Sequence, residues 1–250
     1  MNPGPAPALT LNAWMRWDWI RRILGSGPRL RVLEIGPGWG AMGALIARRH
    51  EYVAVEPDPI AFARTRQRLE ELGRGEVLNG SVEALADRPP FDVVCAFEVL
   101  EHIEDDVAAL EAWFAWVRPG GRIVLSVPAW QHRWGALDVK AGHIRRYSPD
   151  SLRHSLEAAG FIQPATRVYG FPLGYVLQPL CNVVAKRAKP PRTTDERTAA
   201  SGRWLQPPDV LALSTRAASW PFRLAQRPFA QTRLGTGIVA VARRPGVLGY

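Results

Sequence analysis

The 250-residue chain has only two cysteines, Cys95 and Cys181, and neither stands in a Cys-x-x-Cys or Cys/His pattern of zinc-ligand spacing. That excludes a disulfide framework and makes a reducing compartment, the cytoplasm, the expected location. Lysine is nearly missing: of 32 basic residues only Lys140, Lys186 and Lys189 are not arginine. The first residues, MNPGPAPALTLNAW, lack a basic segment followed by an apolar one, so no signal peptide is expected. Long uninterrupted apolar runs are absent too. The nearest approach, VYGFPLGYVLQPLCNVVA at 168–185, is broken by Pro172, Gln178, Pro179 and Asn182, which argues against a membrane span. Acidic residues are scarce in one half only. Residues 1–138 hold 15 Lys+Arg and 18 Asp+Glu, a net −3, while residues 139–250 hold 17 and 5, a net +12. The C-terminal half is therefore expected to meet something anionic, either a phosphorylated or carboxylated substrate or a lipid surface. No nucleic-acid-binding module is visible, and no nucleic-acid partner is expected.

What is present is a repeating alternation. Short apolar runs at 31–35 (RVLEI), 52–55, 76–79, 91–97 (FDVVCAF), 122–128, 161–170 and 235–244 read as strands. Segments with helical spacing at 14–24, 41–50, 60–72, 105–117 and 149–159 lie among them, and RPGG at 118–121 reads as a breaker. Strands alternating with helices predict an α/β fold with a doubly wound, mostly parallel, seven-stranded sheet. The chain divides into an N-terminal helical segment (1–29), a core (30–170), an insertion expected to be helical in part (171–234) and a last core strand (235–250). Trp204 and Trp220 fall in the insertion.

The stretch VLEIGPGWG (32–40) is a strand running into glycines at 36, 38 and 40, followed by a helix. Such a turn lets a ligand touch the backbone and offers it free helix N–H groups. Gly36–Ala41 satisfies the dinucleotide pattern GxGxxG/A, and Glu56 ends the second strand where a ribose-binding acid belongs. At this point a nicotinamide cofactor and S-adenosylmethionine fit equally well. A NAD(P)-dependent oxidoreductase of this size commonly carries a Tyr-x-x-x-Lys pair. Tyr52, Tyr147, Tyr169 and Tyr175 are followed four residues on by Glu56, Ser151, Leu173 and Pro179, so no such pair exists.

Four later blocks occur in order: Glu34 two residues before the first glycine, VEPDP (55–59), FDVVCAFEVLEHIEDD (91–106) and VRPGGRIVLSVP (117–128). Together they resemble the class I S-adenosylmethionine-dependent methyltransferases over about residues 30–170. The resemblance implies a Rossmann-like sheet with a reversed last strand. It places Gly36, Pro37, Gly38 and Gly40 under the methionyl part of the cofactor and Glu34 near its amino group. Glu56 would take the ribose hydroxyls, with Pro57, Asp58, Ser81 and Val82 around the adenine and Phe97 and Glu98 near the sulfonium. Pro37 removes a backbone donor from the turn, which suits a cofactor without a pyrophosphate. S-adenosylhomocysteine would be the product.

Methyl transfer to a hydroxyl is helped by a base, for which histidine is suited near neutral pH. His102 and His143 follow strands at their C-terminal ends, where such sheets place their sites, and His143 is the first choice. Glu98, Glu101 and His102 could hold a divalent ion, although LEH is also a common structural feature of this family; the metal is left unassigned. Trp130, Trp134, Arg145, Arg146 and Tyr147 follow the fifth strand and are expected to wall the acceptor pocket, with one arginine of the pair fixing the loop through Asp138 or Asp150. Trp14, Trp17 and Trp19 either fold over the cofactor or pack on the sheet. The apolar stretch and the basic cluster after it (168–192) read as a lid over a lipophilic acceptor, a peripheral membrane contact, or a homodimer contact. The expected reaction is methylation of a small-molecule, glycan or lipid-linked acceptor at oxygen. An N- or C-methyltransferase, an oxidoreductase and a non-catalytic cofactor-binding scaffold are the alternatives.

Overall fold

The computed structural model describes residues 7–187 and 207–246. Seven strands form one sheet: β1 (Arg31–Ile35), β2 (Glu51–Glu56), β3 (Glu76–Asn79), β4 (Phe91–Phe97), β5 (Val117–Pro128), β6 (Ile162–Tyr169) and β7 (Gly237–Arg243). Their spatial order is β3-β2-β1-β4-β5-β7-β6. The strands from β3 to β5 pair in parallel, and β7 runs antiparallel to both β5 and β6.

The apolar runs explain why the sheet is central. Successive residues of a strand point to opposite faces, and here both faces are covered. Leu33, Val94 and Ile123 enter one core with Trp113 and Leu156. Their neighbours Val32, Val93 and Val124 enter a second core with Met15, Ile20, Ile46 and Leu69. Uninterrupted β-branched runs are what a doubly covered parallel strand requires.

The helices are α1 (Leu11–Leu24), α2 (Ala41–Ala47), α3 (Pro59–Leu72), α4 (Asp106–Phe114), α5 (Ala136–Ala141), α6 (Pro149–Ala158), α7 (Leu173–Arg187) and α8 (Ala212–Ala225). Local chemistry fixes several starts. Asp58 accepts a hydrogen bond from the Ala61 N–H with Pro59 in the first turn, and Ser148 caps α6 in the same way. Thr10 accepts from the Ala13 N–H, so α1 begins at Leu11, before the tryptophan periodicity that marks it in the sequence.

One expectation needs correction. The RPGG segment does not interrupt the fifth strand: β5 starts at Val117 and absorbs the segment through a register shift between Phe91 and Val93. Gly120, at φ +72°, donates its N–H to the Arg244 carbonyl, so this bulge stays tied to the sheet. The tryptophans of α1 take the second of the two placements open to them and pack on the sheet. Trp14 is buried in the second core, its indole N–H donating to Thr215 Oγ1 of α8 at 3.2 Å, and Trp17 and Trp19 pack against the same core. The insertion is helical in α7 and α8, and its residues 188–206, including Trp204 and the end of the 168–192 stretch, lie outside the described residues. No helix among the described residues is long and apolar enough to cross a membrane.

α2 lies close to the sheet because Gly43 has no side chain. A Cβ there would stand 2.0 Å from the Tyr52 hydroxyl and 2.9 Å from Glu34 Oε2. Tyr52 is itself buried and bonded to Glu34, so it has nowhere to retreat. Gly43→Ala is expected to destabilise the protein by about 2 kcal/mol, which for a chain of this size lowers Tm by about 4–8 °C. An unchanged melting curve would show that α2 is free to move away.

Candidate functional site

A cavity of about 860 Å³ opens beyond the C-terminal ends of β1, β2 and β4. This is where parallel sheets present their ligand sites, because the helices that follow the strands begin there.

One half of the cavity is built from backbone. Gly36, Gly38 and Gly40 all have left-handed φ values, +64°, +58° and +69°. A Cβ on Gly36 would meet Val99 at 2.9 Å, and one on Gly40 would meet Thr65 at 2.7 Å, so the protein's own packing already demands two of the three glycines. Glu56 shapes the turn. Its Oε2 accepts the Gly38 N–H at 2.9 Å and its Oε1 accepts the Asp58 N–H at 3.0 Å. Burial pushes its carboxyl above the usual range, against the lowering effect of those two amides. From behind, α3 clamps the turn: Thr65 Oγ1 donates to the Gly38 carbonyl at 2.7 Å and Arg68 Nε to the Trp39 carbonyl at 3.1 Å.

Glu34 also lines the cavity and is buried, accepting the Tyr52 hydroxyl proton at 2.5 Å. Burial raises its pKa to about 7, with the Tyr52 bond and the charge of Arg16 opposing the rise. Pro57, Asp58, Ser81 and Phe97 line the same space. Val82 does not: its side chain packs into the first core.

The other half is built from side chains. Glu98 has φ +58°, a strained value for a residue with a Cβ. It is held there by its own N–H, which donates to the Ser126 carbonyl, and by three donors to Oε1: Arg16 at 2.9 Å, Ser126 Oγ at 3.1 Å and the Tyr169 hydroxyl at 3.2 Å. Across from it, Asp138 is fully buried and accepts from the Arg146 fork at 2.8 and 2.9 Å and from the Gly135 N–H at 2.8 Å. Burial alone would raise the Asp138 pKa, but the bonds from His143 and Arg146 hold it below the usual value. An ionised carboxylate can only accept, so His143 Nδ1, 2.9 Å from Asp138 Oδ1, carries the proton. The other ring nitrogen, Nε2, lies 3.7 Å from Glu101 Oε1 and is the acceptor in the neutral ring.

His102 has a similar arrangement. Its Nδ1–H donates to the Gly142 carbonyl at 3.2 Å, and Nε2 is buried with no partner among the described residues. Burial, then the neighbouring His143, lowers its pKa to about 4, so the ring is neutral at ordinary pH. The two rings meet edge to face at 4.9 Å. Glu101 is fully buried, and neither carboxylate oxygen has a hydrogen-bond partner among the described residues. One ligand atom each from Glu101, His102 and His143 lies within 4.8 Å of the others. The group able to hold an ion is thus not the triplet of adjacent sequence, because Glu98 is committed to Arg16.

Of the five residues expected to wall the acceptor pocket, the structure brings only Arg146 to this cavity, and there it serves Asp138. Trp130 borders a separate, smaller pocket. Trp134 lies on the surface and Arg145 pairs with the Glu104 carbonyl and Asp106. Tyr147 is a core residue whose hydroxyl donates to Asp106. That side of the cavity is lined instead by Asn12, Arg16, Leu177, Gln178 and Cys181, from the start of α1 and from α7. Sequence reasoning missed Arg16, Thr65 and Tyr52. Only Arg16 left a trace, as a charge on an otherwise apolar helical face.

The family profile described as a methyltransferase domain matches residues 11–162. A ubiquinone biosynthesis O-methyltransferase of Pseudomonas fluorescens is 34% identical over 117 residues, which cover 45% of this chain and 50% of that protein. Its namesake in Xylella fastidiosa is 33% identical over 132 residues, covering 49% and 51%. The chain spans about half the length of these curated relatives. Among solved structures, the N-methyltransferase NodS from Bradyrhizobium japonicum, in complex with S-adenosyl-L-homocysteine, superimposes with a TM-score of 0.55. At 15% identity over 94% of this chain and 88% of that one, this is a likeness of fold.

Glu34 supplies a measurable signature of the site's burial. Its folded pKa of about 7 lies above the ordinary 4.5, so the folded state keeps a proton that the unfolded chain releases. Stability should therefore fall as pH rises from about 4.5 to 7. Glu34→Gln, which keeps an acceptor for Tyr52, is expected to melt with the native protein at pH 5 and to be about 2–3 kcal/mol more stable at pH 8. A pH-independent difference in Tm would show that Glu34 ionises normally.

Proposed function

The chain belongs to the methyltransferase-domain family, and from that premise we propose that it transfers the methyl group of S-adenosylmethionine to a hydroxyl of a small, lipophilic acceptor, releasing S-adenosylhomocysteine. The carrying observation is the Asp138–His143 pair: the carboxylate orients an imidazole that lines the cavity together with the glycine turn. The residues fit the cofactor. Gly36 and Gly38 present bare backbone to the cavity, and each oxygen of Glu56 keeps a lone pair free for a ribose hydroxyl after accepting one amide. When bound, the cofactor supplies a sulfonium methyl open to in-line displacement.

The chain's part is to position and to accept a proton. Glu56 holds the sugar, Glu34 faces the amino-acid end, and Asp58 and Ser81 border the base. His143 Nε2 takes the acceptor's hydroxyl proton as oxygen attacks the methyl. Asp138 stabilises the imidazolium that results, and Arg146 and Gly135 keep Asp138 in place while it does so. α7 closes the pocket with Leu177 and Cys181 and excludes water. The apolar contribution of Leu177 and Cys181 to the wall and the O-methyltransferase names of the relatives together favour an oxygen acceptor with an apolar part. A cytoplasmic protein with a peripheral membrane contact through 168–192 fits an acceptor held in lipid.

One observation favours a second reading at the same place. One ligand atom each of Glu101, His102 and His143 lies within 4.8 Å of the others, and burial holds the Glu101 carboxyl well above its ordinary pKa, so a divalent cation there would take the place of its proton. The ion would then lower the hydroxyl pKa in place of a base.

S-adenosylhomocysteine is expected to bind in calorimetry and NADH not to bind; the reverse would make the site that of an oxidoreductase. Gly38→Val, which puts a β-branched residue at φ +58°, should abolish that binding. His143→Ala should lower turnover about 100-fold or more while leaving cofactor affinity within about twofold. Activity that survives dialysis against EDTA identifies His143 as the base. Activity lost with EDTA and restored by zinc or magnesium identifies the metal reading.

A further inference from the structure

Asp18 is fully buried towards the end of α1, and four guanidinium groups surround its one carboxylate. Arg21 and Arg22 come from α1 itself, the latter at 3.3 Å. Arg223 of α8 stands at 3.8 Å and Arg227, just beyond α8, at 3.5 Å. One negative charge against four positive leaves three in excess. The crowding is felt at Arg223, whose pKa is lowered by burial and by the nearby charges of Arg21, Arg216 and Arg227. The Nε atoms of Arg223 and Arg227 are buried and find no hydrogen-bond acceptor among the described residues. Arg223 Nε faces Asp18 Oδ1 without reaching hydrogen-bond distance, and no second carboxylate among the described residues reaches either group. The surplus positive charge sits on the partly exposed side chains of Arg21, Arg22 and Arg227, where an anion can reach it.

The surface beside this cluster is apolar. On α8, Leu213, Trp220 and Leu224 are exposed, Trp220 to 59%. Their spacing of seven and four residues puts them along one stripe of the helix. Neither α7 nor α8 contains a single Asp or Glu. After Glu157 the whole chain has only Asp195, Glu196 and Asp209. A solvated helix mixes charges of both signs, and the centre of a protein–protein interface is depleted of charge. An exposed tryptophan and leucines flanked by arginines, with no acid among them, match the boundary of an anionic bilayer.

We propose that the outer face of α8 and the arginine cluster around Asp18 dock on an anionic phospholipid surface, Trp220 and Leu224 entering the acyl boundary and the surplus guanidinium groups taking headgroup phosphate. The contact is distinct from the 168–192 stretch, and it requires nothing of the methyl-transfer reading, since it uses only α1 and α8. It does bear on that site. Thr215 of α8 lines the cavity, so docking sets the cavity beside the lipid.

The full chain is tested by co-sedimentation with phosphatidylcholine vesicles, with and without phosphatidylglycerol. Binding is expected only with the anionic lipid and should weaken as salt rises. Arg223→Gln and Arg227→Gln should each reduce partitioning about fivefold. Because these arginines also neutralise Asp18, Trp220→Ser serves as a second variant that leaves the ion cluster intact. It should reduce vesicle binding several-fold with unchanged Tm and unchanged S-adenosylhomocysteine affinity. Equal binding to neutral vesicles, or none to either, overturns the proposal. So does a thermal shift by inorganic phosphate without vesicle binding, which would mark a soluble-anion site. A change of oligomeric state in Trp220→Ser with vesicle binding intact also overturns it, as a contact between copies. Vesicle binding by a protein that fails to bind S-adenosylhomocysteine would sink the functional reading and leave this one standing.

Discussion

Glu56 receives the amides of Gly38 and Asp58 in one carboxylate, and the open end of the sheet is organised around that pair of bonds. A buried carboxylate must find donors, and the nearest are those of the turn after β1 and of the start of α3. Satisfying both draws β1, β2 and α3 to one point. The Gly38 carbonyl is then turned towards Thr65, and left-handed glycines become the only backbone that closes the path. A surface made of main chain follows, shaped by one acid.

The opposite end of the cavity is organised by a second buried acid with a different set of partners. Asp138 gathers the Arg146 fork, the Gly135 amide and the His143 ring. Between the two acids lies the Arg16–Glu98 pair, with Ser126 and Tyr169 completing it. The first acid holds backbone and the second holds side chains. A backbone cradle tolerates little change, whereas a side-chain cluster can be rebuilt residue by residue. This fits a family with a shared cofactor grip and varied acceptors.

The sheet was legible because its signal is local. RVLEI, EVLN and FDVVCAF read as strands from their own composition, and all three begin and end where the apolar runs do. RPGG misled because a glycine-rich segment can also be a bulge, and only the pairing partner decides which. Gly36, Gly38, Glu56, His102 and His143 stood out in the sequence by their motifs, and all five line the cavity, whereas Gly40 of the same turn faces Thr65. The acceptor wall was not. Trp130, Trp134, Arg145 and Tyr147 lie in the right segment but face elsewhere, because a loop without period gives no rule for which way a side chain points. Arg16 and Gln178 reach the cavity from helices more than a hundred residues apart in sequence, and no spacing along the chain encodes that meeting.

The sheet order has a bearing on how this molecule could change over time. β6 and β7 are neighbours, bonded strand to strand from Ile162–Arg243 to Tyr169–Gly237. The segment that carries α7 and α8 leaves from the end of one and re-enters at the start of the other, so it is an excursion between two anchored points. Lengthening such an excursion costs little loop entropy, which grows only with the logarithm of its length. The graft point is therefore modular: a lineage can exchange the whole excursion for another, and with it the wall that Leu177, Gln178 and Cys181 give the cavity, without disturbing a single rung of the ladder beneath.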